Sequence, residues 1–571
     1  MLIMKYLYKV KSKTLAILAA SMVTLNSCDI DVIPQDRYAE DVIWSDPKTM
    51  EMYINGLYAE FKNFQFGLFP GLGTNNSVDA LADALKYTSN VPGIGTVNLM
   101  ATNASGINPG AVGLNYWATG YSRIRRVNEF LNGLHHKSVV SDSEKLKYEA
   151  EAKFIRAYSY FWLAKIHGSV IILKDINEYA NKNKPRSSEK DVYDFIIEDL
   201  TFAGENLAKT NLSGRATKGA AYALLSRVAL HAGSIAQYDK KIYNQDPLTG
   251  IPANLAREYF TKASDAGQQV INLANEGLYD FETDFTTIFS KKDTKESIFR
   301  IDFAAPNMTH QYDLWFAPPK DDATNNAQVL GVPTAEIVDE FEMEDGTKFS
   351  WNNAAHATNP YANREKRFAA TILHNGAQWR GRTLNTTPND NVEGFIPYGE
   401  VGNPRRTVTG YYLRKFLDPT NSSFYVNGST QSWHVLRYAE VLLNVAEAKL
   451  HLEDFNGAAS LLSTLRSKRG LPAVAFGSLT QGMIAIEHER AVELAFEGHR
   501  YWDLRRWRKA HITLNDRKMT GHRIAAAGNS LNYEVVPVDD ADREFTTKMY
   551  YFPIPAPELT NNTELTQIQG W

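Results

Sequence analysis

Apolar residues recur at helical spacing over several long stretches of the chain. Val435, Tyr438, Leu442 and Val445, interleaved with Ala439, Leu443, Ala446 and Leu450, follow the i, i+3, i+4, i+7 rule, which predicts a helix apolar over more than half its circumference. Such a helix must be buried between others. A break at Glu453-Asp454-Phe455-Asn456-Gly457 precedes a second amphipathic run, Ala458, Leu461, Leu462 and Leu465, which ends at Arg466, Lys468, Arg469, Gly470 and Pro472. Cations in the last turn followed by Gly and Pro are a helix stop. The pair occupies a unit of about 34 residues, the length of a tetratricopeptide-type hairpin. Comparable periods appear at Phe154, Ala157, Phe161 and Ala164, at Val192, Phe195, Ile196 and Leu200, and at Tyr222, Leu225, Val228 and Ala229. Two stretches break the pattern: 66–113 is rich in Gly, Asn, Thr and Ser, and 300–432 mixes Pro, Asn and aromatic residues around short apolar runs. The expected fold is mainly α: tetratricopeptide-like hairpins over about 40–280 and 434–571, forming one compact body with long ordered loops and a few short strands. Loops of that length inside a compact domain usually carry function.

The N-terminus reads separately. Lys5, Lys9, Lys11 and Lys13 precede a short apolar run from Leu15 to Leu25, the form of a secretory signal. The run is about half of the ~20 apolar residues a spanning helix needs. It ends at Cys28, the single cysteine of 571 residues. Leu25-Asn26-Ser27-Cys28 resembles the lipobox of bacterial lipoproteins, with Asn26 a departure from the commonest pattern. Residues 1–27 are therefore expected to be a lipoprotein signal peptide, and 28–571 a single domain held to a membrane by lipid on Cys28. Asp29 and Asp31 resemble the acidic tether of surface-exported lipoproteins of the Bacteroidetes.

Composition adds one skew. Hydrophobic (44%) and charged (22%) fractions are ordinary for a globular body, and a net charge of −4 supplies no broad basic field for nucleic acid. Aromatic residues, with 29 Tyr, 27 Phe and 10 Trp, exceed what a core requires, so some are expected to face outward. Trp117, Trp162, Trp502 and Trp507 fall within helical periods and are assigned to the core, whereas Trp315, Trp351, Trp379 and Trp433 lie in loop-like stretches and are candidates for a surface role.

Catalytic signatures do not emerge. His488-Glu489-Arg490-Ala491-Val492 begins like a zinc-protease motif, but Val492 stands where the second histidine ligand belongs. Gly71-Leu72-Gly73-Thr74-Asn75-Asn76 lacks the third glycine of a dinucleotide loop. A glycosidase carboxylate pair among Asp79, Asp83, Glu336 or Asp339 remains open, because the separation that chemistry requires is not legible in a sequence. The alternating charges from Glu487 to Asp503, with Arg505, Arg506, Arg508 and Lys509 after them, read as a solvated or interhelical ion network.

Two strings carry a family resemblance. Arg437-Tyr438-Ala439-Glu440-Val441-Leu442-Leu443-Asn444-Val445-Ala446-Glu447-Ala448, and Glu489-Arg490-Ala491-Val492-Glu493-Leu494-Ala495-Phe496-Glu497-Gly498-His499-Arg500 continuing through Asp503-Leu504-Arg505-Arg506-Trp507, resemble the signature blocks of the SusD/RagB family. Phe341 to Thr347, Tyr411 to Phe416, Tyr551 to Leu559 and the Asp46-Pro47 helix opening fit the same order; Glu365-Lys366 departs from the usual Asp-Pro. The resemblance covers essentially the whole mature chain. It implies an outer-membrane surface lipoprotein that binds rather than converts its ligand, captures oligo- or polysaccharide, and sits as a lid on a SusC-like TonB-dependent transporter. No cofactor is implied; calcium is admitted as a structural ion, since Asp- and Asn-rich loops supply oxygen ligands, although no EF-type spacing is present.

For ligand contacts the sharpest cluster is Tyr312, Trp315 and Phe316 with Asp313 between them. Tyr87 with Asp79 and Asp83 comes second, and Trp379 with Arg380 third. Against each stands a ring packed under its own loop. Peptide cargo and a surface glycoside hydrolase are the alternative functions.

Overall fold

The computed structural model describes residues 40–64, 78–87, 116–240, 245–321, 327, 329–400, 405–527, 530–539 and 541–571. Cys28, the leader, the Gly71–Asn76 stretch and most of the 66–113 loop lie outside these residues.

Among the described residues, ten principal helices form the scaffold: α1 Pro47–Ala59, α2 Trp117–His136, α3 Asp142–His167, α4 Glu189–Asn206, α5 Lys218–Tyr238, α6 Ala256–Asn275, α7 Tyr438–His451, α8 Phe455–Lys468, α9 Leu479–Glu493 and α10 Arg500–Arg506. Their starts are set by local chemistry. Asp46 accepts from the Lys48 amide at 3.0 Å ahead of Pro47, and Ser141 and Glu144 form a reciprocal capping box on α3. Ser188, Thr217, Asp454 and Ser478 cap α4, α5, α8 and α9 in the same way.

Consecutive helices pack on one another from α2 to α6, and α7 then packs on α6, with α8 and α9 against α7. The stack of hairpins thus continues across the long excursion of residues 276–437 as though it were absent. Small residues make the close approaches: a side chain at Gly267 on α6 would overlap Val445 on α7, and one at Gly233 on α5 would overlap Phe260 on α6. One apolar core runs through the whole body, from Trp44 to Ile568, and takes in Trp117, Trp502 and Trp507 as expected, with Trp162 half-buried against it.

Strands are short and paired in twos. Ser297–Ile301 pairs antiparallel with Trp433–Arg437 and ties the two ends of the excursion together beside α7. The helical period read from Val435 is therefore corrected: the helix begins at Tyr438. All five residues of Trp433–Arg437 are buried, so the strand shows no alternation and its apolar positions merge with the helix behind it. A second correction concerns the C-terminal scaffold, where Thr520–Ala527 and Ser530–Pro537 form an antiparallel hairpin in place of helix. Leu85–Tyr87 pairs with Gly331–Pro333, joining the first loop region to the second.

Most of the charged residues of α9 and α10 are buried in ion pairs with other parts of the chain. Arg437 reaches Glu497 at 2.6 Å and Glu493 at 2.7 Å, Arg367 reaches Glu365 at 2.6 Å and Glu493 at 2.9 Å, and Arg469 reaches Glu493 and Glu296 at 2.8 Å. Burial alone would raise the Glu493 carboxyl, but Arg469, Arg437 and Arg367 hold it well below the usual range. The departure at Glu365 is absorbed here, since its carboxylate also accepts from the Glu342 amide at 3.0 Å.

Candidate functional site

The three predicted clusters meet on one side of the molecule. Tyr312, Trp315 and Phe316 lie on a short helix, Tyr312–Phe316, whose Trp315 carbonyl accepts from the Leu330 amide, one residue before the Gly331–Pro333 strand. That strand pairs with Leu85–Tyr87, which carries Tyr87 and follows Asp79 and Asp83. Arg380 then reaches back to Asp313 at 3.0 Å, bringing in the third cluster.

Burial within that face differs from the outward-facing role expected of the loop aromatics. Trp315 is 6% exposed and Trp379 is 3% exposed, and Tyr312, Phe316 and Trp433 are buried with them, so none presents an open ring face in this conformation. The reason is their company: Tyr312 packs on Phe316 and Phe416, and Phe416 packs on Trp433. Trp351 is half-buried, with its indole nitrogen on Asp339 at 2.9 Å. Of Tyr87 the strand position is described and the side chain is not.

Charged members of the clusters are held in place by defined partners. Asp313 accepts from Ser429 at 2.7 Å, Gln431 at 2.8 Å and the Asp418 amide at 3.0 Å, besides Arg380. Asp321 accepts from the Trp379 indole at 2.6 Å, Arg380 at 3.1 Å and Arg382 at 2.7 Å. Arg382 continues to Glu393 at 2.7 Å. Asp83 takes Arg500 in a two-pronged pair at 2.9 and 2.8 Å, and the Gly498 amide donates to Asp79 at 3.1 Å. Of the other two carboxylates weighed for glycosidic chemistry, Glu336 accepts from the Thr520 amide at 3.1 Å. Asp339 is pushed up to about 7 by burial, against the pull of Trp351 and Arg364. Among the described residues no group of three or more His, Cys, Asp and Glu side chains is arranged to hold a metal ion.

Tyr425 is the residue that sequence reasoning missed. It stands 52% exposed on the short helix Phe424–Asn427, which packs against Tyr312–Phe316, and its neighbour Phe424 is buried under the Arg380 guanidinium, 5.2 Å from the ring centre. Val426 beside it is also exposed. The signal was present: Phe424-Tyr425-Val426 is bracketed by Asn421-Ser422-Ser423 and Asn427-Gly428, a turn too short to bury three consecutive large side chains.

The described residues form a stack of helical hairpins carrying a loop-built face, a mainly α class of protein. Comparison with known proteins agrees with that class. The model described as "SusD family" matches residues 295–571, and one described as "Starch-binding associating with outer membrane" matches 57–230. SusD-like protein P2 of Formosa agariphila is 25% identical over 477 residues, covering 79% of each chain. The crystal structure of a SusD-like protein from Bacteroides fragilis, 28% identical, covers 94% of this chain and all of its own with a TM-score of 0.75. Surface glycan-binding protein A from Bacteroides uniformis, 19% identical, shares the fold over 92% of this chain and 99% of its own, with a TM-score of 0.64. The chain belongs to the SusD/RagB family. Among its described residues no helix is long and apolar enough to cross a membrane.

Proposed function

We propose that the protein is a cell-surface glycan-binding lipoprotein of the outer membrane. In this reading residues 1–27 are removed, Cys28 carries the lipid, and residues 28–571 form the body that captures oligo- or polysaccharide and passes it to a SusC-like TonB-dependent transporter, over which it sits as a lid. Support comes from the outer-membrane, starch-binding description of the model matched by residues 57–230 and from the fold shared with a surface glycan-binding protein. The observation that carries the ligand assignment is Tyr425. It is a ring exposed over half its surface, next to Phe424, whose ring lies under the Arg380 guanidinium that pairs with Asp313. A sugar ring stacks through its C–H face on such a side chain while the flanking polar groups take its hydroxyls. Tyr312, Trp315 and Phe316 act here as the packed floor beneath that surface, and Arg380 positions Phe424 and so Tyr425. The protein binds rather than converts, in keeping with Asp79 and Asp83 being already engaged by Gly498 and Arg500.

The test is isothermal titration of the soluble form beginning after Cys28 against a panel of starch-derived, β-linked and acidic oligosaccharides, with Tyr425→Ala alongside. Saturable heat for one glycan class, weakened about tenfold in the variant, is expected, since an aromatic contact is worth about 0.5–1.5 kcal/mol beyond its area. Silence across the panel, with heat for peptides instead, would move the cargo to the peptide class. Glycan binding untouched by Tyr425→Ala would displace the site from this face.

A further inference from the structure

A small cavity of about 50 Å³ lies among α3, α5, α9 and α10. A few waters or one compact ion fit in that volume. Its walls hold an uneven set of charges. The carboxylates are all engaged by arginine or lysine: Asp503 accepts from Arg490 at 2.9 Å and Arg506 at 2.8 Å, and Glu497 accepts from Arg437 at 2.6 Å and Lys415 at 2.7 Å. Arg227 is paired with Glu440 at 2.5 Å and with the Val435 carbonyl at 2.6 Å.

Three nitrogen-bearing groups on the same walls have no such partner among the described residues. The Lys165 ammonium, on a half-buried side chain, lies 3.4 Å above the centre of the Trp162 ring and 4.7 Å from that of Trp502, and makes no hydrogen bond or ion pair with a described residue. His231 is 8% exposed and packs edge-on against Phe161, and neither its side chain nor the half-buried one of His499 has a hydrogen-bond partner among the described residues. What the lining leaves unmet is therefore donors, around a cation whose two indole neighbours soften its burial without neutralising it. Burial, with Arg227 and Arg505 adding to it, pushes Lys165 well below its ordinary value, a cost that a negative charge opposite it would remove.

We infer that this cavity is a binding site for a small inorganic anion, between a halide and phosphate in size, held by Lys165 with His231 and His499 as flanking donors. Neither the glycan face nor the ligand assignment above depends on it. Bromide is the probe. Crystals of the full body soaked in sodium bromide are expected to show an anomalous peak in contact with the Lys165 ammonium, and in solution the bromide resonance is expected to broaden with added protein and to sharpen again when inorganic phosphate competes. Lys165→Met, which keeps the stem against Trp162, is expected to lose both signals; His231→Phe serves if that variant does not fold. Absence of the peak in the wild-type crystal, or a peak and broadening unchanged in a folded variant, would overturn the assignment and leave the cavity to water.

Discussion

Glu493 accepts from three arginines that arrive from three parts of the chain: Arg367 from the loop-rich excursion, Arg437 from the strand that closes it, and Arg469 from the end of α8. Removing one member of a buried ion cluster leaves the cluster with uncompensated charge, which costs about 3–5 kcal/mol. Glu493→Gln is thus expected to lower unfolding free energy by that amount in a urea titration, with the denaturant slope unchanged. His488 makes a gentler, pH-dependent link between α9 and the excursion, at 2.9 Å from Glu340 and 3.3 Å from Glu342. Burial opposes its charge, but the two carboxylates outweigh it and raise the imidazole to about 9. Because the folded value lies above the unfolded one, the contribution is complete below about pH 6.5 and disappears as pH rises through about 9. A His488→Gln variant should therefore melt lower than wild type at pH 6, and the gap should close by pH 9.5.

At the scale of elements, the joint between α6 and α7 decides whether the helical stack holds across the excursion. Alanine at an ordinary helical glycine raises stability by up to about 1 kcal/mol. At Gly267 the added methyl meets Val445, so Gly267→Ala is expected to destabilise by about 1–3 kcal/mol instead. Val445→Ala in the same chain should recover part of the loss, and a thermal-melt double-mutant cycle would read the coupling. Helices were legible because their apolar periods are long: the Arg466–Gly470 stop falls where the sequence places it, although α8 starts at Phe455, capped by Asp454, inside the break read over Glu453–Gly457. Trp433–Arg437 was not, because burial on both faces erases alternation and a buried strand then looks like the first turn of the helix that follows it. The hairpin of 520–537 escaped for the opposite reason, since its second strand is largely exposed and has too little apolar contrast to announce itself.

For the whole molecule, sequence located the loop regions that assemble one face but not the orientation of the rings within them. Arg380 and Trp379 were chosen on residue type, and they reach Asp313 and Asp321 through hydrogen bonds spanning 67 and 58 positions, a closure no local pattern encodes. Aromatic content could not distinguish a floor from a platform either, so Trp315 was chosen and Tyr425 was passed over unread. Truncating the buried Trp315 costs about 3–5 kcal/mol of stability whatever its part in binding, which makes Tyr425 the cleaner probe. Attachment to the membrane is argued at this scale too: among the described residues no helix is long and apolar enough to cross a membrane, and the apolar run before Cys28 is too short to span. One acyl chain gives marginal binding, whereas two or more, at about 0.8 kcal/mol per buried methylene, hold a protein of this size stably. Cells expressing the full chain should therefore retain it in the detergent phase of a Triton X-114 separation after a high-salt wash, and incorporate labelled palmitate. Cys28→Ser should shift the protein to the aqueous phase with the label gone. A variant still found in the detergent phase without label would mean that a protein surface, not a lipid, holds this chain at the membrane.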